Sequence, residues 1–282
     1  MERGQTLSAE LARDFDLEAT DLSPELQLCI ARLEELRRRE DPVGDRRSRS
    51  AKPFLLSVPA SNYPIELSIL PGINEEICEL RYKAYERAGW IDDEAAIISD
   101  DFDMLPTSVL VAATSGGRVV GTIRISMKTG QNAAIGLPCE MEFPGKLADV
   151  SKSMPDAKLA EFCRVAIDPD ITNKSFRATL YGSLVRAAVT VAWASEINYA
   201  LVAVHTGISR FYQHMCGFQK LASSRGYGII KEPTNLLGAE FSELLRRSSK
   251  RNGFFHISDE EMVRVGDHLR RSSPGLWQEA AQ

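Results

Sequence analysis

The sequence contains no long hydrophobic run. Its longest apolar stretches, AAVTVAWA at 187–194 and YALVAV at 199–204, fall far short of the roughly 20 residues that cross a bilayer. The opening MERGQTLSAELARDFD carries charge where a signal peptide needs an apolar segment, so the expectation is a cytoplasmic protein without stable membrane insertion. Cysteine is sparse: Cys29, Cys78, Cys139, Cys163 and Cys216 are odd in number and include no CxxC pair. That offers neither a disulfide framework nor a zinc site, and the five read as buried thiols. A basic excess is also lacking. With a net charge of −5 the chain has no general affinity for nucleic acid, which rests on phosphate neutralisation, and an acidic partner must dock on a local basic patch. There is no internal repeat or low-complexity segment.

What is present is an ordinary globular composition, 44% hydrophobic and 26% charged over 282 residues, enough for one full core with appendages. Residues 1–57 read as a helical and flexible extension. Within it, Ser23 is an N-cap, Pro24 stands at the first helical position, and Leu26, Cys29, Ile30, Leu33 and Leu36 recur at helical spacing. The Arg- and Ser-rich stretch 41–52 reads as a linker. A strand starts near Ile65 and is closed by Pro71-Gly72.

A helix over 74–88 follows, capped by Asn74, with the stripe Ile77, Leu80, Arg81, Ala84, Tyr85. Arg81 inside that stripe either meets a carboxylate or ligand anion, or snorkels to the rim. An irregular acidic loop holds Asp92, Asp93, Glu94, Asp100, Asp101 and Asp103, but lacks the glycine and terminal glutamate of a calcium loop. SVLVAA and RVVGTIRISM, joined through Thr114-Ser115-Gly116-Gly117, form a hairpin. In its second strand Val119, Gly121, Ile123 and Ile125 share a face, and Arg124 stands opposite with Val120 and Thr122. Residues 130–157 read as a long loop of the lid or binding kind.

The chain is organised around LAEFCRVAIDP at 159–169, an apolar strand with Glu161 and Arg164 in its middle. Unpaired buried charges cost several kcal/mol at the order-of-magnitude level, so these two either pair or work. The strand's C-terminal mouth is therefore the candidate active site. A helix over 175–195, a buried strand over 199–204, a short helix over 208–216 stopped by Gly217, and a strand from Phe218 complete the expected α/β domain, with helices over 241–247 and 259–270 as peripheral additions.

The stretches LRYKAYERAGWI, DDFD before SVLVAATSGGRVVGTIRIS, and AEFCRVAID resemble the acyl-homoserine-lactone synthases of the LuxI type. VHTGISRFYQHMCGFQKL resembles the sister family of FeeM-type N-acyl amino acid synthases, and the element order is that of the wider Gcn5-related (GNAT) acyltransferases. The resemblance covers about 65–237. It implies a GNAT-like mixed central sheet flanked by helices, within a domain over 58–237 that is followed by a C-terminal helical extension over 238–282.

The resemblance further implies a long-chain fatty acyl group delivered by acyl carrier protein to the amine of an amino-acid acceptor. No cofactor is bound tightly; the acyl-phosphopantetheine thioester is the donor substrate. Many acetyltransferases wrap the coenzyme A pyrophosphate with a glycine loop, whereas this chain has Asn173-Lys174-Ser175-Phe176-Arg177-Ala178-Thr179 there, which disfavours coenzyme A as donor. Rival readings are a homoserine-lactone synthase using S-adenosylmethionine, a non-catalytic acyl-binding regulatory module, and an ordinary acetyltransferase.

Amine attack on a thioester needs a deprotonated nitrogen, a fixed carbonyl and donors for the oxyanion. Glu161 is the candidate general base, its alternative a structural pair with Arg81 or Arg124. Arg164 can grip an acceptor carboxylate bidentately. Arg124 completes the expected catalytic set, with Arg81, Trp90, Asp100, Asp103, Cys163 and Val165 as substrate-binding candidates and Lys174, Arg177 and Arg186 facing the carrier's phosphopantetheine. Asp100 and Asp103 either hold the acceptor ammonium or buttress the arginines. Cys163 tempts a nucleophile reading, yet direct transfer requires none.

Overall fold

Alternating aliphatic residues give the chain its strands, and in the computed structural model eight of these pair in the order β1-β2-β3-β4-β5-β6-β8-β7. They are β1 (Phe54–Leu56), β2 (Glu66–Leu70), β3 (Ser108–Ser115), β4 (Arg118–Lys128), β5 (Leu159–Ile167), β6 (Tyr199–His205), β7 (Gln219–Ser224) and β8 (Thr234–Glu240). The β5–β6 pair is parallel and the other neighbours are antiparallel. The helices are α1 (Glu75–Arg87), α2 (Pro138–Glu142), α3 (Lys146–Ser153), α4 (Lys174–Ala194), α5 (Ser209–Cys216), α6 (Phe241–Arg251) and α7 (Asp259–Ser272). The structure describes residues 53–56, 63–70, 72–91, 98–129, 136–224, 226–228, 230, 232–251 and 256–272. The helix expected at 23–39, the linker at 41–52, Cys29, and Asp92, Asp93 and Glu94 lie outside them.

Helices cover both faces of the sheet. α1 starts at Asn74, whose side chain accepts from the Ile77 amide at 3.0 Å, and its buried stripe of Ile77, Leu80, Arg81 and Tyr85 lies against β4 and β5. On the other face α4, capped by Asn173 through the Phe176 amide, buries Leu180, Leu184, Ala187, Ala188 and Val191 against Ile123, Ile125 and Phe162. Gly121 allows the close approach: a Cβ there would meet the Leu184 side chain at 2.9 Å. Gly217 ends α5 in the left-handed region at φ 80°, as expected of a C′ glycine.

Four expectations change. The long loop at 130–157 contains α2 and α3, and Leu137, Cys139, Phe143, Leu147 and Val150 form a second core with Leu159, Leu201 and Leu236. In β4 the register steps from Ala113↔Gly121 to Thr114↔Val119, leaving Val120 as a bulge. Val120 therefore joins Ile123 in the main core while Val119 packs on the α1 side, the reverse of simple alternation. The boundary expected after Leu237 falls inside β8, and that expected after Ser57 falls next to β1; both strands belong to the one sheet. Likewise α7 is no peripheral addition, since Val265 and Leu269 are buried in the main core. Of the described cysteines, Cys139 and Cys163 are buried, whereas Cys78 and Cys216 are half-buried. No helix among the described residues is long and apolar enough to cross a membrane.

Candidate active site

Two departures from regular pairing open the mouth of β5. On the β4 side, Cys163 pairs with Arg124 and Ala166 with Thr122, so three steps of β5 oppose two of β4. The extra residue is accommodated by Arg164 in the left-handed region at φ 54°, a conformation costing a non-glycine residue about 1–2 kcal/mol. On the β6 side, pairing stops at Phe162↔Val202, after which the strands diverge. Among the described residues, Arg164 and Val165 thus have no register partner in either neighbouring strand.

Between the diverging strands lies a cavity of about 760 Å³. Its walls are mostly apolar: Ala178, Val185, Ala188 and Val189 of α4, Val202 and Val204 of β6, Phe211 and Tyr212 of α5, and Leu244 and Leu245 of α6. Cys163, Arg164 and Val165 line its β5 side. A second cavity of about 510 Å³ shares Tyr85, Trp90, Val165 and Tyr181 with the first and extends past Arg177 and Pro169.

The arginines are organised by two aspartates on a short 3₁₀ turn (Asp101–Met104) and its cap. Arg81, fully buried, donates from Nη1 to Asp103 Oδ2 at 2.8 Å; the inward guanidinium of the α1 stripe meets a carboxylate. Arg124 Nη1 pairs with Asp100 Oδ1 and lies 3.1 Å from Asp103 Oδ1, while Nη2 is 3.2 Å from Asp100 Oδ2. Arg164 closes on Asp100 Oδ2 with Nη2 at 2.6 Å and Nε at 3.2 Å. Burial opposes ionisation of Asp100, but the Arg124 and Arg164 guanidiniums overcome it and hold the carboxyl below the usual carboxylate range. Both Asp100 oxygens are taken by guanidinium donors, so the aspartates buttress the arginines. Among the described residues three guanidiniums share these two carboxylates, and Arg164 Nη1 is buried with no hydrogen-bond partner there.

Glu161 stands apart from this network. It forms none of the expected pairs with Arg81 or Arg124; its carboxylate, fully buried, accepts from the Cys139 amide at 2.8 Å and from the Tyr227 hydroxyl. The first-turn amides of a helix have no intrahelical acceptor, and α2 delivers one of them to the sheet. Burial pushes the Glu161 carboxyl up, and the Tyr227 and Cys139 hydrogen bonds only partly offset it. Burial likewise raises the Cys163 thiol to about 11, despite Arg124 Nε at 3.3 Å from its sulfur, which keeps it a neutral wall residue.

The remaining expected residues divide. Trp90 packs on Tyr85, ring centroids 5.8 Å apart, and reaches both cavities. Arg177 donates from Nη1 to the Asp168 and Ile171 carbonyls at the second cavity, and Lys174 is exposed at the start of α4. Arg186 does not face a carrier: it is buried and paired with Glu261 of α7 at 2.6 Å, with a further bond to the His256 carbonyl. Arg124 is likewise not on the wall of either cavity; it bonds to Cys163, which is, and is linked through Asp100 to Arg164. Two features went unread in the sequence. One is Tyr227, whose signal is an aromatic between Gly226 and Gly228; the other is the Tyr181–Tyr212 hydroxyl pair linking α4 to α5 at the cavity.

The fold has a counterpart among solved structures. The structure of FeeM, an N-acyl amino acid synthase from uncultured soil microbes, superposes with a TM-score of 0.52 at 23% identity, covering 65% of this chain and 94% of that one. The acyl-homoserine-lactone synthase LasI follows at 0.47 and 17% identity, covering 63% and 89%, and a CoA-dependent acyl-homoserine lactone synthase, MesI, at 0.43 and 16%, covering 65% and 88%. No curated protein matches the chain. The family model described as N-acyl amino acid synthase FeeM matches residues 76–240, a span that runs from α1 through β8, takes in every cavity-lining strand and exceeds half of the sequence: the chain belongs to the FeeM family of N-acyl amino acid synthases.

Proposed function

We propose that the protein moves a long-chain fatty acyl group from the phosphopantetheine thioester of acyl carrier protein to the amine of an amino acid. The observation that carries this reading is the apolar cavity of about 760 Å³ with Arg164 on its wall, whose guanidinium has a buried Nη1 without a hydrogen-bond partner among the described residues. The apolar walls suit an alkyl chain, each buried methylene being worth about 0.8 kcal/mol. The Arg164 guanidinium suits the acceptor's carboxylate.

The pantetheine arm occupies the smaller cavity in this reading, with Lys174 and the remaining donors of Arg177 at its outer end. The start of α4 lacks the glycines that wrap a pyrophosphate, and the Asn173 side chain already occupies the Phe176 amide. A single phosphate on a carrier protein makes smaller demands than coenzyme A. With the carbonyl over the Arg164–Val165 amides, the amine attacks, the C–N bond forms, the C–S bond breaks and the carrier departs as thiolate, to be protonated afterwards. Glu161 holds the proton taken from the amine.

The test is incubation of purified protein with C12–C18 acyl carrier proteins, a range taken from the family resemblance, and an amino-acid mixture, followed by mass spectrometry. One dominant N-acyl amino acid is expected. Turnover with acetyl-CoA alone, a homoserine lactone in the product, or thioester binding without turnover would each overturn the reading.

A further inference from the structure

The base expected to take the acceptor's proton does not reach the cavity; its neighbour does. Glu161 is fully buried and is not part of the cavity wall. One of its donors, the Cys139 amide, belongs to the second core. The other, the Tyr227 hydroxyl, is carried by a side chain that lines the cavity beside Cys163 and Arg164. We propose that Tyr227 relays the proton between the acceptor amine and Glu161, so that the phenol and not the carboxylate meets the substrate. The inference rests on the acyl-transfer reading above.

The relay balances. As the amine nitrogen bonds to the thioester carbon and the C–S bond breaks, an N–H proton passes to the Tyr227 oxygen while the Tyr227 hydroxyl proton passes to Glu161 Oε1. The phenol is regenerated, Glu161 becomes a carboxylic acid and the carrier leaves as thiolate. The proton then returns through Tyr227 to the thiolate sulfur, restoring the carboxylate. No oxidant, reductant or further reactant is involved.

The geometry is built for a fixed pair. Tyr227 is pinned by reciprocal backbone bonds with Ile230 at 2.7 and 3.0 Å and its ring lies 6.4 Å from that of Phe143. The Cys139 amide fixes one carboxylate oxygen, Oε2, and leaves Oε1 to the phenol. Burial raises both groups, so the phenol keeps its proton while the carboxylate is readier to accept one. The other groups acting on the pair are the Cys139 and Cys163 thiols, held neutral by burial, and the Arg124 guanidinium.

The experiment compares Tyr227→Phe, Glu161→Gln and the double variant with wild type in the acyl-transfer assay, with the wild type run first. Each single substitution is expected to lower kcat about 10²-fold with KM for the acyl donor unchanged, and the double variant to be no slower than the worse single, as for two parts of one unit. Incorporating 2,3-difluorotyrosine at position 227 keeps the shape, acidifies the phenol and is expected to shift the pH–rate profile at unchanged thermal midpoint, which a merely structural tyrosine would not do. Full kcat in Tyr227→Phe, losses that multiply in the double variant, or a pH profile unmoved by difluorotyrosine overturns the relay and leaves acyl transfer standing. A wild type that makes no N-acyl amino acid overturns both.

Discussion

Arg164 Nη2 lies 2.6 Å from Asp100 Oδ2, across 64 residues of chain, and this contact holds in place a side chain whose own backbone is left-handed. A free arginine at a bulge would sample many rotamers. Tied to Asp100, which is itself tied to Arg124, the guanidinium presents its remaining nitrogen in one direction.

Asp100→Asn keeps the shape and removes the charge, leaving Arg124 paired with Asp103 and Arg164 without an ion-pair partner among the described residues. The expected loss is about 3–5 kcal/mol of stability, the range for breaking a buried ion pair, with a matching fall in kcat/KM. Urea denaturation checks the first and steady-state kinetics the second. The pH dependence has a definite sign. The Asp100 pKa is held below its ordinary 3.8, so its contribution is full above that value and is lost as pH falls through the native pKa. The Asn variant is expected to show a shallower acid-side stability loss.

Glu161 titrates in the opposite sense. Burial raises its native pKa above the ordinary 4.5, so the native state binds more protons than the unfolded chain, and stability falls as pH rises from 4.5 through the native value. Glu161→Gln keeps an oxygen for the Cys139 amide and an amide group facing the Tyr227 oxygen. Its thermal midpoint at pH 8 is expected to equal or exceed the wild-type value while turnover collapses. A large drop in the midpoint would make Glu161 a structural residue.

The Arg186–Glu261 pair, a bond of 2.6 Å between α4 and α7, predicts a stability effect without a carrier effect. Glu261→Ala is expected to cost about 3–5 kcal/mol, whereas replacing both partners with Met and Leu is expected to be near neutral. KM for acyl carrier protein should be unchanged in the folded double variant. A raised KM there would return Arg186 to the docking surface.

Chain length should respond to α4. Ala188 and Val189 line the cavity, and Ala188→Leu or Val189→Phe removes volume from it. Acyl preference is expected to shift to shorter chains, with kcat/KM for the longest chain falling about fourfold per methylene displaced, the equivalent of about 0.8 kcal/mol. Competition between acyl carriers of different length, read by mass spectrometry, checks it.

The helices over 75–87, 174–194 and 209–216, the hairpin and the central strand were all legible, because side-chain periodicity, Asn74 as a cap, and Gly217 as a stop are local signals. α2 and α3 were not: each is short, and their apolar residues find partners on the distant strands β5, β6, β7 and β8. β8 and β1 were missed because a strand is stabilised by a neighbour that the local sequence does not name.

The site divides in the same way. The sequence by itself determined that Arg81, Arg124, Glu161 and Arg164 sit at positions facing the interior, since alternation and helical spacing fix which side a residue takes, and that such charges need partners. Only the tertiary structure decided which partners. Asp100 and Asp103 took all three arginines, leaving Glu161 to an amide of α2 and a tyrosine from the turn before β8. Pairing across 64 or 66 residues depends on register, a bulge and the place where two strands part, and these are properties of the packed sheet.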